Sequence, residues 1–169
     1  MDIIARPFYQ IPLIGKVTAI KLYTNDTLLA QCQVTRQQKS TSEFELVRTD
    51  TGGQLIIKFK DKLREDFEII DNIENCRWTC ELPKSATWIS FAKPMTIKSE
   101  KLFGEFSTGG LILLNGKCIG RIGEMSKYPF GRKLTRMEVK DETYINLLMS
   151  ISLVKSLQDK VYKIHDWGD

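Results

Sequence analysis

The sequence has few of the residues from which metal centres and acid–base catalytic sites are usually built. It contains one histidine, His165, and four cysteines. The histidine is far from the cysteines, whereas a structural zinc site takes about four closely spaced Cys or His ligands. A catalytic triad needs an imidazole that a rigid scaffold holds beside a nucleophile, and His165 lies close to Asp169, the last residue. We therefore expect no metal, no cofactor and no catalytic residues.

The sequence also lacks a strong charge bias and a long hydrophobic run. The 25 Lys and Arg residues and 21 Asp and Glu residues give a net charge of +4. This charge is compatible with an anionic partner but falls short of the basic stripe typical of nucleic-acid-binding domains. Arg6, Pro7 and Pro12 interrupt the apolar residues among the first fifteen, so we predict no signal peptide. One cytoplasmic domain, residues 1–169, is expected.

The expected state of the cysteines also fits a cytoplasmic protein. Cys76 and Cys80 share one face of a predicted strand with Trp78, because polar residues alternate with them and side chains on a strand alternate between its faces. Both thiols are therefore expected to point inward as small hydrophobic groups. Disulfides are rare in cytosolic proteins, so none is predicted.

Short strand-like runs separated by turn signals dominate the chain. Asn115-Gly116 is the strongest hairpin signal and predicts a type I′ turn, while 36–42 is predicted to be a polar loop. The predicted strands are Lys16–Thr24, Thr27–Thr35, Glu43–Thr49, Gln54–Lys60, Asp66–Asp71, 76–82, Thr87–Ala92, a weaker run between Pro94 and Phe103, Leu111–Leu114, Lys117–Gly123 and Arg132–Lys140.

One predicted helix, at about 142–157, follows the last strand. At about 100° per residue, the apolar residues of Tyr144–Leu157 spread around the whole circumference. A helix that is apolar on every side must be surrounded by protein or lipid. A membrane span needs roughly 17 to 25 apolar residues, and this stretch is shorter and contains Lys155. We therefore expect the helix to be enclosed by the protein's own sheet, followed by a polar tail, 158–169.

Strands and helix together predict a mainly β fold. Many consecutive strands must close into a barrel or cover their edges. A closed sheet of this many strands has an interior wider than its own side chains can fill. We therefore predict a closed antiparallel β-barrel of about 10–12 strands, threaded by the C-terminal hydrophobic helix.

Three segments carry a resemblance to a known family. They are the early hairpin Lys21–Leu29, the later pair Gly110–Ile122, and Thr135–Asp141, which leads directly into the hydrophobic helix. This arrangement resembles the tubby C-terminal-like superfamily, which includes the LURP-one-related proteins and the phospholipid scramblases. The resemblance implies a closed barrel threaded by a hydrophobic helix.

The resemblance carries less information about function. Tubby proteins bind phosphoinositide headgroups through basic residues on the barrel surface, but no Lys/Arg pair of this chain aligns with theirs. Scramblases have a membrane-inserting tail after the barrel helix, whereas Gln158–Asp169 is polar and mixed. The glycines of Gly116–Gly123 do not form a phosphate loop, because the following Ser/Thr and helix are missing. They are expected to allow bending or close packing against the central helix.

One stretch combines cations with aromatic residues in a predicted loop and its flanks. Such a loop can meet phosphate groups and place rings at a membrane interface, or stack on nucleic-acid bases. A solvated loop whose rings cover the barrel end is the alternative without a ligand. The candidate ligand-binding residues are Lys127, Tyr128, Phe130, Arg132, Lys133 and Arg136, and a more diffuse second cluster is Lys93, Lys98 and Lys101.

The resulting hypothesis is a non-enzymatic barrel that acts as a binding or interaction module. Its expected partner is an anionic phospholipid or a membrane surface, which would make it a membrane-associated cytoplasmic protein, or else an unidentified protein. The alternatives are a nucleic-acid-binding β-barrel that uses the same loop, and a small enzyme or carrier of apolar ligands. A carrier requires that the barrel be empty.

Overall fold

The structure is a computed structural model that describes residues 1–11, 14–60, 66–81, 95–107, 109–127 and 132–162, without the side chains of Ile14, Lys127 and Arg132. Its strands are β1 (Asp2–Ile11), β2 (Ile14–Thr24), β3 (Thr27–Gln33), β4 (Glu43–Arg48), β5 (Gln54–Phe59), β6 (Phe67–Asp71), β7 (Cys76–Glu81), β8 (Met95–Lys98), β9 (Phe103–Phe106), β10 (Leu111–Leu114), β11 (Lys117–Lys127) and β12 (Arg132–Val139). Its α-helices are α1 (Arg36–Thr41) and α2 (Ile145–Leu157).

The twelve strands form one closed barrel, as the sequence predicts. Each strand pairs antiparallel with the next along the chain, and β1 closes the barrel on β12 from Asp2↔Glu138 to Ala5↔Thr135. Residues on alternate positions of each strand point inward, as in β6, where Phe67 and Ile69 are buried. This alternation places apolar side chains from all around the sheet in one central core.

Helix α2 lies inside that core and confirms the predicted enclosure. Every residue from Asn146 to Leu157 is buried, so no face of the helix is left for solvent. At Gly120 the sheet comes close to the helix: a Cβ there would lie 3.0 Å from Leu148 Cδ2. The prediction that these glycines permit close packing on the helix is therefore confirmed at this position. No helix in the described ranges is long and apolar enough to span a membrane.

The helical segment continues past the predicted end. A π-helical turn, Gln158–Tyr162, extends α2, and Gln158 is fully buried. The predicted polar tail therefore begins inside the barrel. Burial of polar residues is possible here because Lys155 Nζ lies 3.2 Å from Asp159 Oδ1, one turn further on. The Tyr162 ring packs edge-to-face on Phe44, which anchors this end of the helix in the core.

Two elements differ from the sequence-based expectations. Strand β1 was not predicted, because Arg6, Pro7 and Gln10 interrupt its apolar residues. The pairing of β1 with β12 stops at Ala5, so Pro7 lies on an open edge of β1. Its missing N–H group therefore removes no hydrogen bond to β12.

The prediction of a loop at 36–42 was wrong, because these residues contain α1. Thr35 caps α1 by accepting from the Gln38 N–H at 3.2 Å, and the Gln38 side chain bonds back to Thr35.

Two further predicted strands have different bounds in the structure. The run after Pro94 divides into β8 and β9, and β11 extends to Lys127 beyond its predicted end. The Asn115-Gly116 turn has positive φ at both residues, 48° and 79°, as a type I′ turn requires. The predicted strand Thr87–Ala92 lies outside the described residues.

The two ends of the barrel are distinguished by where α2 begins. We call the end where the chain passes from Val139 into α2 the entry end, and the opposite end the exit end. Antiparallel pairing places the turns after β2, β4, β6, β8 and β10 at the entry end, together with the start of α2. The far ends of the β1–β2 and β11–β12 hairpins lie at the exit end.

Candidate functional site

The interior of the barrel is occupied by α2. Leu148, Leu153 and Val154 are fully buried, and they belong to one hydrophobic cluster with side chains from the surrounding strands. A carrier of apolar ligands would need this space to be empty, so the condition on which that alternative depended is not met. Any ligand of the described barrel must therefore bind on its outside or at its ends.

A cavity of about 360 Å³ opens at the entry end. It is formed by the β6–β7 and β8–β9 connections and the start of α2, and it was not predicted from the sequence. Its buried lining includes Trp78 and Leu147, and the ring of Trp78 packs edge-to-face on Tyr144 at 6.5 Å. The volume is within the range of small-ligand pockets, about 300–1,000 Å³.

The charges around this cavity are mixed. Its exposed charged lining consists of Glu74, Glu100, Arg77 and Lys101, so neither sign predominates. Arg77 is further engaged by Glu68, with Nε 2.9 Å from the carboxylate. Because carboxylates balance the cations, this cavity does not select for an anion.

Two buried polar residues of the cavity, Asn146 and Asp71, form a hydrogen-bond network with the half-buried Arg48, and we call these three residues the entry network. Arg48 Nη1 donates to Asn146 Oδ1 at 2.8 Å, and Asn146 Nδ2 donates to Asp71 Oδ2 at 3.1 Å. Asp71 Oδ1 also accepts the backbone N–H groups of Ile73 and Glu74, both at 2.9 Å. The network ties the first turn of α2 to strands β4 and β6, which indicates a structural role.

Cysteine placement follows the predicted alternation. Cys80 and Trp78 are buried, and Cys76 is partly buried at the strand's beginning. All four thiols are free. Within the described ranges, no three His, Cys, Asp or Glu side chains are grouped so that they could hold a metal ion.

Thiol reactivity is expected to divide these cysteines into two pairs. Burial raises the pKa of Cys32 to about 12 and raises that of Cys80 as well, and the thiolate is the reactive form. Burial and the nearby Asp71 charge also raise the pKa of Cys76. Titration of the native protein with Ellman's reagent should label Cys118 first and Cys76 more slowly.

Complete unfolding in guanidinium should then expose the remaining pair, Cys32 and Cys80. Peptide mapping after iodoacetamide treatment identifies which thiols have reacted. Rapid reaction of all four thiols in the native protein would contradict the described burial.

The predicted binding residues are only partly brought together. Lys127 and Arg132 are backbone partners at the end of the β11–β12 hairpin, whereas Tyr128 and Phe130 lie outside the described residues. Lys133 lies beside Arg132, and its Nζ is 3.3 Å from Glu124. Arg136 pairs with Ile4 on the barrel wall instead. Its Nε and Nη2 both donate to Asp2 Oδ2, at 3.0 and 2.6 Å.

Two hairpins continue beyond the last pair between β1 and β12 at the exit end. Pairing between β1 and β12 stops at Ala5↔Thr135, but each strand stays paired with its other neighbour. We call residues 125–127 with 132–134 the β11–β12 ribbon, and residues 6–11 with 14–21, of which 19–21 stay paired with β3, the β1–β2 ribbon. The second cation cluster is elsewhere, because Lys98 and Lys101 flank the β8–β9 turn at the entry end and Lys93 is outside the described residues.

No protein-family model matches the chain, and no curated protein or solved structure matches it.

Proposed function

We propose that this chain is a non-enzymatic binding module of the tubby-like type that recognises anionic lipid headgroups at a membrane surface. The β11–β12 ribbon supports this function most directly. Its last backbone pair is Lys127↔Arg132, and Lys133 follows, so three cationic residues lie within the last two backbone pairs of one hairpin. Basic residues near an anionic membrane contribute about 1 kcal/mol each to binding.

The architecture supports an external ligand. Helix α2 occupies the barrel interior, and the entry-end cavity has balanced charges. The closed barrel with an internal helix is also the fold that the resemblance to the tubby C-terminal-like superfamily implies. Lipid binding in that superfamily uses the barrel surface, which makes a surface ribbon the appropriate place to test.

Existing ion pairs affect which cations are suitable for mutation. Lys133 and Arg136 each have a carboxylate partner, Glu124 and Asp2 respectively. Exposed pairs of this kind contribute only about 0–1 kcal/mol, so they do not prevent binding to phosphates. Removing either cation would nevertheless release a carboxylate, which complicates the result. Lys127 and Arg132 form the last backbone pair of the ribbon, and this position makes them the first choice for charge reversal.

The double variant K127E/R132E tests the proposal in liposome flotation. Vesicles of phosphatidylcholine with phosphatidylserine should retain the wild-type protein at low salt and release it as salt rises, because exposed charges are screened within about 10 Å at 0.1 M. Loss of two cations is expected to reduce the partition coefficient about 30-fold. Unchanged flotation of K127E/R132E would contradict the proposed surface.

A matched control reverses two cations at the other end of the barrel. K98E/K101E makes the same change in net charge at the β8–β9 turn, where both residues are exposed. Its binding should remain close to that of the wild type if position matters and total charge does not. Capture of a single-stranded oligonucleotide at low salt without vesicle binding would favour the nucleic-acid alternative.

A further inference from the structure

The β1–β2 ribbon has an apolar and cationic surface that no sequence motif indicated. Phe8 and Ile11 are 38% and 59% exposed, and Ile11 is the most exposed large hydrophobic side chain among the described residues. The same ribbon contains Lys16, Lys21 and Arg6, of which Arg6 pairs with Asp26 at 3.1 Å, and the ribbon itself contains no Asp or Glu. The whole chain is nearly balanced, with 25 cations and 21 carboxylates, so this stretch differs from the rest of the surface.

The apolar and cationic groups are placed together. Lys21 Nζ lies 4.5 Å from the centroid of the Phe8 ring, a distance at which the ring face attracts a cation. Such a pair presents an apolar ring with a charge beside it, which suits the boundary between acyl chains and headgroups. Lys16 is exposed near the far end of the hairpin.

The backbone of the ribbon disfavours the addition of a strand from another protein. Its β1 edge is open from Arg6 onward, because pairing with β12 stops at Ala5. Pro7 lies on that strand, and the register shifts between Phe8 and Tyr9 and again between Tyr9 and Ile11. Prolines and bulges on an edge strand are features that block edge-to-edge pairing. The ribbon's side chains, and not its backbone edge, are therefore available to a ligand.

We infer that the β1–β2 ribbon is a second membrane-contacting element, which inserts Ile11 and Phe8 at the interface of an anionic bilayer while Lys16 and Lys21 meet lipid phosphates. This inference rests on the proposed function. The two ribbons diverge from the same barrel end, where Ala5↔Thr135 is the last pair between them. Both ribbons therefore belong to the same end of the barrel.

Flotation of Ile11→Ser tests the apolar contact separately from the charges. We expect about a tenfold lower partition coefficient on phosphatidylcholine–phosphatidylserine vesicles, by the same factor at 0.1 and 0.5 M salt, because apolar burial is not screened. The loss caused by K127E/R132E should instead shrink as salt rises. Since Ile11 is exposed, the melting temperature should not change, and circular dichroism checks this.

Phe103→Ser is the matched control at the entry end. Phe103 is 48% exposed and also has a lysine over its ring, with Lys98 Nζ 5.8 Å from the centroid. Its substitution should leave vesicle binding unchanged. Equal losses for Phe103→Ser and Ile11→Ser would overturn the inference, because they would show no preference for the exit end.

The remaining outcomes distinguish the inference from the proposed function. Normal flotation of Ile11→Ser with impaired flotation of K127E/R132E overturns the inference and leaves the proposed function standing. Absence of wild-type binding to any anionic vesicle overturns both. If Ile11→Ser changes the mass in light scattering without vesicles while flotation is normal, the inference is overturned and the ribbon is a contact between copies of the chain.

Discussion

Leu148→Asp is expected to abolish folding to a soluble native state. Leu148 is fully buried in the first turn of α2, against the sheet at Gly120. Loss of its apolar side chain costs about 2–5 kcal/mol, and an uncompensated buried charge costs about 3–5 kcal/mol more. Lys155, the one cation of α2, already pairs with Asp159, so it does not neutralise the new carboxylate. The total approaches the 5–15 kcal/mol stability typical of a whole domain.

Soluble yield and the far-ultraviolet circular dichroism melt measure this effect. Leu111→Asp provides the control, because it makes the same chemical change at a leucine that is 39% exposed on β10. It should remain soluble and lose little stability. Leu148→Met keeps nearly the same volume and should cost less than about 1.5 kcal/mol. A soluble Leu148→Asp protein with an unchanged melting temperature would show that the helix does not fill the barrel in solution.

Asp71→Ala is expected to give the second large effect, a loss of about 3 kcal/mol in the free energy of unfolding. The substitution removes the acceptor for Asn146 Nδ2 and for two backbone N–H groups of the β6–β7 connection. Asn146 is 5% exposed, so its Nδ2 group loses its protein acceptor in a largely buried position. Urea denaturation followed by tryptophan fluorescence measures the loss, because Trp78 lines the same cavity.

A double-mutant cycle with Asn146→Ala separates the interaction from the individual losses. Residues that share a hydrogen bond typically couple by about 0.5–3 kcal/mol, and we expect a value near the middle of that range. Ser150→Ala is the control on the same helix: Ser150 Oγ donates to the Asn146 carbonyl at 2.8 Å, and the helix still satisfies that carbonyl after substitution. Additive effects of Asp71→Ala and Asn146→Ala would refute the entry network.

The missed strand and helix show where sequence patterns were insufficient. A proline such as Pro7 normally indicates a break in a strand. It is tolerated here because the pairing of β1 with β12, which closes the barrel, ends at Ala5 and leaves Pro7 on an open edge. Helix α1 has no buried residue and therefore no hydrophobic periodicity. Its capping box from Thr35 to Gln38 was the available signal, and it was not used.

The candidate site was predicted less completely than the fold. Charge and aromatic content predicted a ligand-binding site at 127–136. Arg136, however, lies on the barrel wall and pairs with Asp2, which is distant in sequence. The β1–β2 ribbon was overlooked, since Phe8 and Ile11 are scattered apolar residues in a stretch that Pro7 and Gln10 interrupt. Their exposure results from the end of β1–β12 pairing, which local sequence does not report.

The sequence by itself determined the alternating strands, the Asn115-Gly116 turn and a helix that had to be enclosed. These properties depend on the local order of apolar and polar residues, because side-chain periodicity decides which positions can be buried. Only the tertiary structure decided where β1 closes the barrel, which polar groups anchor α2, and which surfaces extend past the closed sheet. Each of these depends on residues distant in sequence, such as Asp71 with Asn146 and Ala5 with Thr135, and contacts at that separation leave no pattern in a single chain.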